Sequence, residues 1–386
     1  MKIAMLVPDN REACKHYEHP VPIFGPAPSA LLQGFSNLPS CEIHVVCCTK
    51  KPVTAPEKLA DNIWYHSIVV PKTGWMSSLF LGCIRAVRSK LKTITPDIVH
   101  GQGTERDCAI EAVLSGFANV ITIHGNMRAI SRLNKEPIFS YNWMSALLEP
   151  LCLRCTRGVF CNSQYTRNLV DPIARSTWDV PNALRQEFFT TLPRAPIINS
   201  DPITILNIGT ICPRKRQVEL LDVVRRIVHR GLKARFIFVG EVPPLCSYSE
   251  RFFASLEELK NNGTVEWIEH LETVELIDAL DRSNALLHFP TEESFGLVIG
   301  EALSRRLPVF ASNVGGIRDI CAGFEDSSTL IEPHDFVLLE HYLIQFINAP
   351  FRASAKTAKV ISDRYHPKII ASQHLQIYQM LLDSPC

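Results

Sequence analysis

Short apolar runs rich in β-branched residues recur through the first half of the chain, at 3–8, 43–48, 63–70, 97–101, 119–124 and 158–162. Segments with helical spacing separate most of them, at 30–38, 79–91 and 107–115. The runs are continuously apolar, not alternating, which predicts a parallel sheet covered on both faces. The rhythm lapses after Val180-Pro181-Asn182, in a stretch holding Pro193, Pro196 and Pro202. It resumes with strand-like runs at 203–209, 234–240, 264–268, 285–290, 308–312 and 329–331. Helical segments over 217–231, 248–261, 274–283 and 297–306 lie between them.

The pattern predicts an α/β protein of two doubly wound, Rossmann-like domains. Residues 1–185 form the first, 186–202 a proline-marked linker, and 203–365 the second. Residues 366–386 supply a closing amphipathic helix, free to cross back to the first domain. Sheets of this kind bind ligands beyond the carboxyl ends of their strands, where the strand order reverses. Two such domains facing each other would set that crevice in a central cleft.

Composition narrows the picture. A length of 386 residues suits two domains, and 46% hydrophobic with 20% charged residues describes a globular protein with sizeable cores. The net charge of +1 gives no global reason to bind nucleic acid. Thirteen scattered cysteines read as reduced, buried thiols rather than a disulfide framework. Cys152 and Cys155, with Cys161 nearby, lack a second pair at zinc-ligand spacing, so no metal site is expected. The opening MKIAMLVPDN is too short in its apolar run for a signal peptide and fits a buried strand. No apolar run approaches the ~20 residues of a membrane span. A cytoplasmic protein is expected, at most peripheral to the inner face of a membrane.

The most informative stretch is TEESFGLVIGEALSRRLP, residues 291–308. It places a loop at the end of the 285–290 strand and a helix from Gly296 onward. The amides of Phe295, Gly296 and Leu297 would open that helix unpaired, a natural seat for phosphate. Glu293 lies just before the helix and Glu301 two turns along it. Carboxylates accept hydrogen bonds from vicinal hydroxyls, so a phosphate seat flanked by acids suggests a nucleotide sugar. An ordinary amphipathic helix with an acidic start would show the same two acids.

EESFGLVIGEALSRRLPVFASNVGGIRDI resembles the E-x7-E region of retaining glycosyltransferases with the GT-B fold, the large family four type. The likeness includes Gly315-Gly316-Ile317, with Asp319 where the family usually has glutamate. The resemblance implies that Glu293 contacts the donor sugar and Glu301 the ribose hydroxyls. Gly209-Thr210-Ile211-Cys212-Pro213-Arg214-Lys215-Arg216-Gln217 resembles the family's phosphate-binding loop, which implies that Lys215 meets the phosphate. The family's arginine after the glycine is Thr210 here, so Arg214 or Arg216 supplies the second cation. His124, ending the 119–124 run, matches the histidine that positions the donor sugar. The segment 97–106 resembles the family's D-V-V-H-x-H, with Gln102 in place of the second histidine. Glu105 and Arg106 either line an acceptor pocket or cap the next helix. Gly25 stands nearest to the family's glycine-rich first loop, and the base pocket falls around His270-Leu271.

The implied activity is hexosyl transfer from a nucleotide diphosphate sugar to an acceptor hydroxyl, with retention and without metal or other cofactor. Glu293, Lys215 and His124 are the expected catalytic residues. A glycan, lipid-linked or small-molecule acceptor fits, in cell-surface polysaccharide or glycolipid synthesis. The basic amphipathic segment 79–92 is of a kind that rests on anionic membranes, though a solvated basic face explains it equally. A nucleotide-sugar epimerase, or a non-catalytic module binding nucleotide sugar or glycan, are the alternatives.

Overall fold

The computed structural model describes residues 1–191, 201–242, 246–260 and 263–383. The chain divides into two compact units, Met1–Gln186 together with the segment from Tyr365 onward, and Glu187–Arg364. In the first unit the strands are β1 (Lys2–Leu6), β2 (Glu42–Thr49), β3 (Lys58–Ala60), β4 (Ile63–Val69), β5 (Ile98–Gln102), β6 (Asn119–Ile123), β7 (Val159–Cys161) and β8 (Thr177–Asp179). They make one sheet in the order β3-β4-β2-β1-β5-β6-β7-β8, parallel throughout except where β3 meets β4. Ile3 faces Ile43 on one side and Ile98 on the other, so β1 is the buried centre from which the order departs both ways.

The second unit holds β9 (Ile203–Ile208), β10 (Ala234–Val239), β11 (Val265–Ile268), β12 (Ala285–His288), β13 (Val309–Ser312) and β14 (Ser328–Ile331). Its sheet runs β11-β10-β9-β12-β13-β14, all parallel. The order reverses between β9 and β12. The loops at their carboxyl ends, 209–216 and 289–296, therefore flank the place where ligands of such sheets bind.

The closing helix, Pro367–Asp383, belongs to the first unit. Ile370, Ala371 and Tyr378 join the core that holds Ile3, Phe35, Ile43, Val120 and Phe160. It lies so close on the Pro26–Ser36 helix that a Cβ at Gly34 would sit 2.2 Å from the Pro367 carbonyl oxygen. Any side chain there would force the helices apart.

Two features differ from the sequence pattern. Part of the proposed linker 186–202 is a short helix, Glu187–Thr190, in the second unit, with Phe188 fully buried; 192–200 lie outside the described residues. Four residues are too few to show a helical period. The long Tyr141–Cys155 helix was hidden because Pro150 lies inside it and Leu147 and Leu151 face solvent, so no apolar stripe exists. In the basic Leu81–Ile94 helix, Cys83, Ile84, Val87, Leu91 and Ile94 are buried, leaving Arg85, Arg88 and Lys92 exposed. Most of its apolar stripe packs on the core, while Leu79 and Leu81 at its start stay exposed. Among the described residues no helix is long and apolar enough to cross a membrane.

Candidate functional site

In the second unit β9 is followed by Gly209, whose φ of 147° favours glycine. The loop then turns back, with the Lys215 amide donating to the Cys212 carbonyl at 2.9 Å. Gln217, first residue of the next helix, fastens this loop from inside. Its Nε2 donates to the carbonyls of Gly209 (3.2 Å) and Thr210 (3.0 Å), and its Oε1 accepts from the Cys212 amide at 3.3 Å. The result aims the Lys215 ammonium at the Glu293 carboxylate, with which it forms an ion pair.

His288, the last residue of β12, completes a triad. Its Nε2 lies 3.2 Å from Glu293 Oε2 and 3.4 Å from Lys215 Nζ. Burial, reinforced by the Lys215 charge, lowers the imidazole pKa to about 4, so it is neutral near pH 7. Burial alone would raise the Glu293 pKa, but Lys215 and His288 together hold it well below the ordinary value. The sequence pattern does not single out His288; its signal is a histidine at the carboxyl end of an otherwise apolar strand. Gln217 has no such signal.

The two loops are zipped together. The Thr291 amide donates to the Arg214 carbonyl at 2.8 Å, and Arg214 Nη1 donates to the Glu292 carbonyl at 2.9 Å, with Glu292 Oε2 at 3.5 Å. Adjacent acids thus serve different cations, Glu292 for Arg214 and Glu293 for Lys215. Arg216 is turned away: it donates to the Pro333 carbonyl and lies over the Phe336 ring at 5.6 Å. Its left-handed backbone (φ 61°) at the start of the Gln217–His229 helix sends the side chain there. Of the two arginines, only Arg214 stands beside the acid pair.

Gly296, at φ 89°, opens the Leu297–Ser304 helix. Among the described residues the Leu297 and Val298 amides meet no acceptor, as expected in a first turn. The glycine pair downstream braces this corner. The Gly316 amide donates to the Glu293 carbonyl at 2.8 Å, and a Cβ at Gly316 would lie 2.1 Å from the Ser294 carbonyl oxygen. The Phe295 side chain is core, so only its backbone is available to a ligand. Glu301 is also nearly closed to solvent, at 4% exposure, on a helix that buries Ile299 and Leu303 fully while Leu297 and Val298 are half-buried. His270 and Leu271 follow the edge strand β11, two strands from β9; His270 is exposed and meets Glu272 at 3.3 Å.

In the first unit, the candidates around β5 and β6 form a hydrogen-bonded interior. His124 Nε2 meets Gln102 Oε1 at 2.9 Å, and His100 Nε2 meets Thr122 Oγ1 at 2.7 Å. Gln102, His124, Asn182 and His374 line one small cavity with Ala27 and Leu31. Glu105 clamps a loop. It accepts the Gly125 amide at 2.7 Å, and a Cβ at Gly103 would lie 2.0 Å from its Oε2. Burial raises its pKa to about 7. Arg106 lies over the Trp75 ring at 5.6 Å. Gly25 precedes the Pro26–Ser36 helix with ordinary extended backbone, and a Cβ there would meet nothing closer than 3.8 Å, so neither conformation nor crowding demands glycine.

The buried histidines of this unit resist protonation. Burial lowers the pKa of His124 and His374 to about 4 and puts His100 well below the ordinary value of 6.5. Between pH 6.5 and 4 the unfolded chain binds protons that these histidines refuse in the folded unit, so their contribution to stability falls as pH falls, while Glu105, with its raised pKa, contributes in the opposite sense. His374 Nε2 has no partner among the described residues, and its ring packs 4.5 Å from Phe160. Changing His374→Phe is therefore expected to lower proton uptake on unfolding near pH 5 by about one, read from urea melts at pH 7, 6 and 5. An unchanged slope would show that His374 does not titrate on unfolding.

Residues 188–363 match the family described as Glycosyl transferases group 1, and residues 31–176 match Glycosyltransferase Family 4. The chain is similar to the phosphatidylinositol N-acetylglucosaminyltransferase GPI3 subunit of Saccharomyces cerevisiae, 24% identical over 238 residues, covering 58% of this chain and 49% of that protein. The chain spans about half the length of the curated relatives it matches. Its fold is similar to that of sucrose-phosphate synthase from Thermosynechococcus elongatus, with a TM-score of 0.75, 15% identity and 99% of each chain covered. It is also similar to Anabaena HepE in complex with UDP and glucose, with a TM-score of 0.72, 15% identity, and 98% and 100% covered. The fold is GT-B.

Proposed function

Since the chain belongs to the group 1 glycosyl transferases, we propose that it moves a hexosyl unit from a nucleotide diphosphate sugar to an acceptor hydroxyl, retaining the anomeric configuration. The observation that carries this reading is the Lys215–Glu293–His288 triad beside the open first turn of the Leu297–Ser304 helix. A diphosphate seated on the Leu297 and Val298 amides would draw on Lys215, whose charge grows in value as the phosphate leaves. Arg214 reinforces that field from beside Glu292. Glu293, ionised well below neutral pH, accepts hydrogen bonds from the sugar hydroxyls, and Glu301 serves the ribose.

Glu293 is engaged with Lys215 and His288, which suits binding better than nucleophilic attack. A same-face displacement follows, in which the departing phosphate oxygen takes the acceptor proton. Side-chain cations, not a metal ion, provide the charge compensation for this step. The relative from Saccharomyces cerevisiae is named for transfer to phosphatidylinositol, and HepE was crystallised with UDP. A UDP-sugar donor and a lipid-linked or glycan acceptor are accordingly the first pair to try.

A panel of nucleotide diphosphate sugars, screened by thermal shift, tests donor binding. A donor present at 100 times its dissociation constant is expected to stabilise the fold by about 2.7 kcal/mol. Proton NMR of the product then reads the anomer. Stabilisation by none of the panel would remove the donor assignment, and an inverted product would remove retention.

A further inference from the structure

We propose that the first unit holds a structural divalent metal ion, zinc in the first instance, between Cys48, Cys83, Asp107 and Glu111. Their four donor atoms all lie within 4.8 Å of one another. Zinc–sulfur and zinc–oxygen bonds of about 2.3 and 2.1 Å would put neighbouring donors in a tetrahedral shell roughly 3.3–3.8 Å apart. The cluster therefore needs only a small contraction to close on an ion.

The residues come from three elements that pack side by side. Cys48 is at the carboxyl end of β2, and Cys83 lies in the first turn of the Leu81–Ile94 helix. Asp107 precedes the Cys108–Val113 helix and Glu111 follows four residues later, so both carboxylates share one face. All four are buried, none more than 4% exposed, within a core of Val46, Val87 and Val99.

The state of the Asp107 side chain points to a cation. Asp107 stands where an acid ordinarily caps a helix, yet its side chain makes no capping hydrogen bond. Its Oδ1 is fully buried without any hydrogen-bond partner among the described residues, and the Arg106 Nε is 3.7 Å away. Burying two carboxyls and two thiols together is costly unless protons or a cation neutralise them. Without an ion, Cys48 Sγ donates weakly to Glu111 Oε1 at 3.4 Å. On binding, the two thiols release their protons and all four side chains donate lone pairs to the metal, with no change of oxidation state.

The sequence pattern predicts no metal site because only Asp107 and Glu111 share a short spacing. Such an ion takes no part in sugar transfer. It would pin the β2 end to the helix that follows the loop carrying Glu105 and Arg106.

The test uses the full chain, purified, stripped with chelator and reconstituted with Zn²⁺ or Co²⁺. Elemental analysis is expected to find about one ion per chain, Zn²⁺ to raise the melting temperature, and Co²⁺ to show a thiolate charge-transfer band. Cys83→Ser and Asp107→Asn should each lose the ion, while Cys246→Ser, at an exposed thiol, should keep it. A folded wild-type chain that binds no zinc, bound cobalt without the thiolate band, or ion retention in either cluster variant overturns the proposal. Should a variant fail to fold, the wild-type stoichiometry and cobalt spectrum decide alone.

Discussion

Replacing Lys215 by alanine is expected to lower turnover with a saturating donor by about 10²–10³-fold, the usual effect of deleting one preorganised donor to developing charge. Lys215 is only 14% exposed in its side chain and held at a fixed place by the 209–217 loop, so water cannot substitute cheaply for it. Its removal has a second effect. Burial already acts to raise the Glu293 pKa, and the Lys215 charge is the largest factor opposing it. In Lys215→Ala the carboxylate should therefore lose activity as pH falls at a higher pH than in the wild type. Glu293→Ala should be similarly impaired, and the double variant should be no worse than the poorer single, since the pair acts as a unit. Steady-state rates across pH 5–8 check this. Near-normal turnover in either single variant would take that residue out of the mechanism.

Replacing Arg305 by methionine is expected to destabilise the second unit by about 3–5 kcal/mol, the usual cost of stranding one member of a buried ion pair. Arg305 lies within the RR of the same motif, yet it makes no approach to the ligand corner. Its Nε and Nη2 bind the two oxygens of Asp281 at 2.8 and 2.6 Å, and its Nη1 donates to the carbonyls of Phe188 and Thr191. It is 2% exposed and Asp281 6%. At roughly 2–4 °C per kcal/mol for a unit of this size, the melting temperature should fall by roughly 6–20 °C. Asp281→Asn in the same chain should recover part of that loss. By contrast, Lys233→Ala, which breaks a solvated pair with Asp201, should change little. Differential scanning calorimetry distinguishes the cases, and a loss below about 1 kcal/mol in Arg305→Met would show the pair to be dispensable.

Most strands are legible because burial on both faces writes a continuous apolar run. The exceptions follow from the same physics. β3 and β8 are three-residue strands, lying at the two ends of their sheet and only partly buried, so they leave no such run. The Glu293–Glu301 spacing and the RKR turn are visible, but which arginine faces the acids depends on the left-handed turn at Arg216, which residue type does not reveal. His288 acts through contacts made only when β9 and β12 lie side by side, and Gln217 through backbone groups of its own loop, which residue type does not reveal. Cys48, Cys83, Asp107 and Glu111 are invisible for the same reason: their proximity belongs to the fold.

The return of the last helix to the first unit bears on how the protein is made. A ribosome releases residues 1–186 well before the helix beginning at Pro367. The whole second unit, Glu187–Arg364, intervenes, roughly 10–40 s of synthesis at about 5–20 residues per second. Throughout that interval the face formed by Ile3, Phe35, Ile43, Val120 and Phe160 lacks Ile370, Ala371 and Tyr378. The later unit can finish folding first, while that face of the earlier one waits for the helix beginning at Pro367.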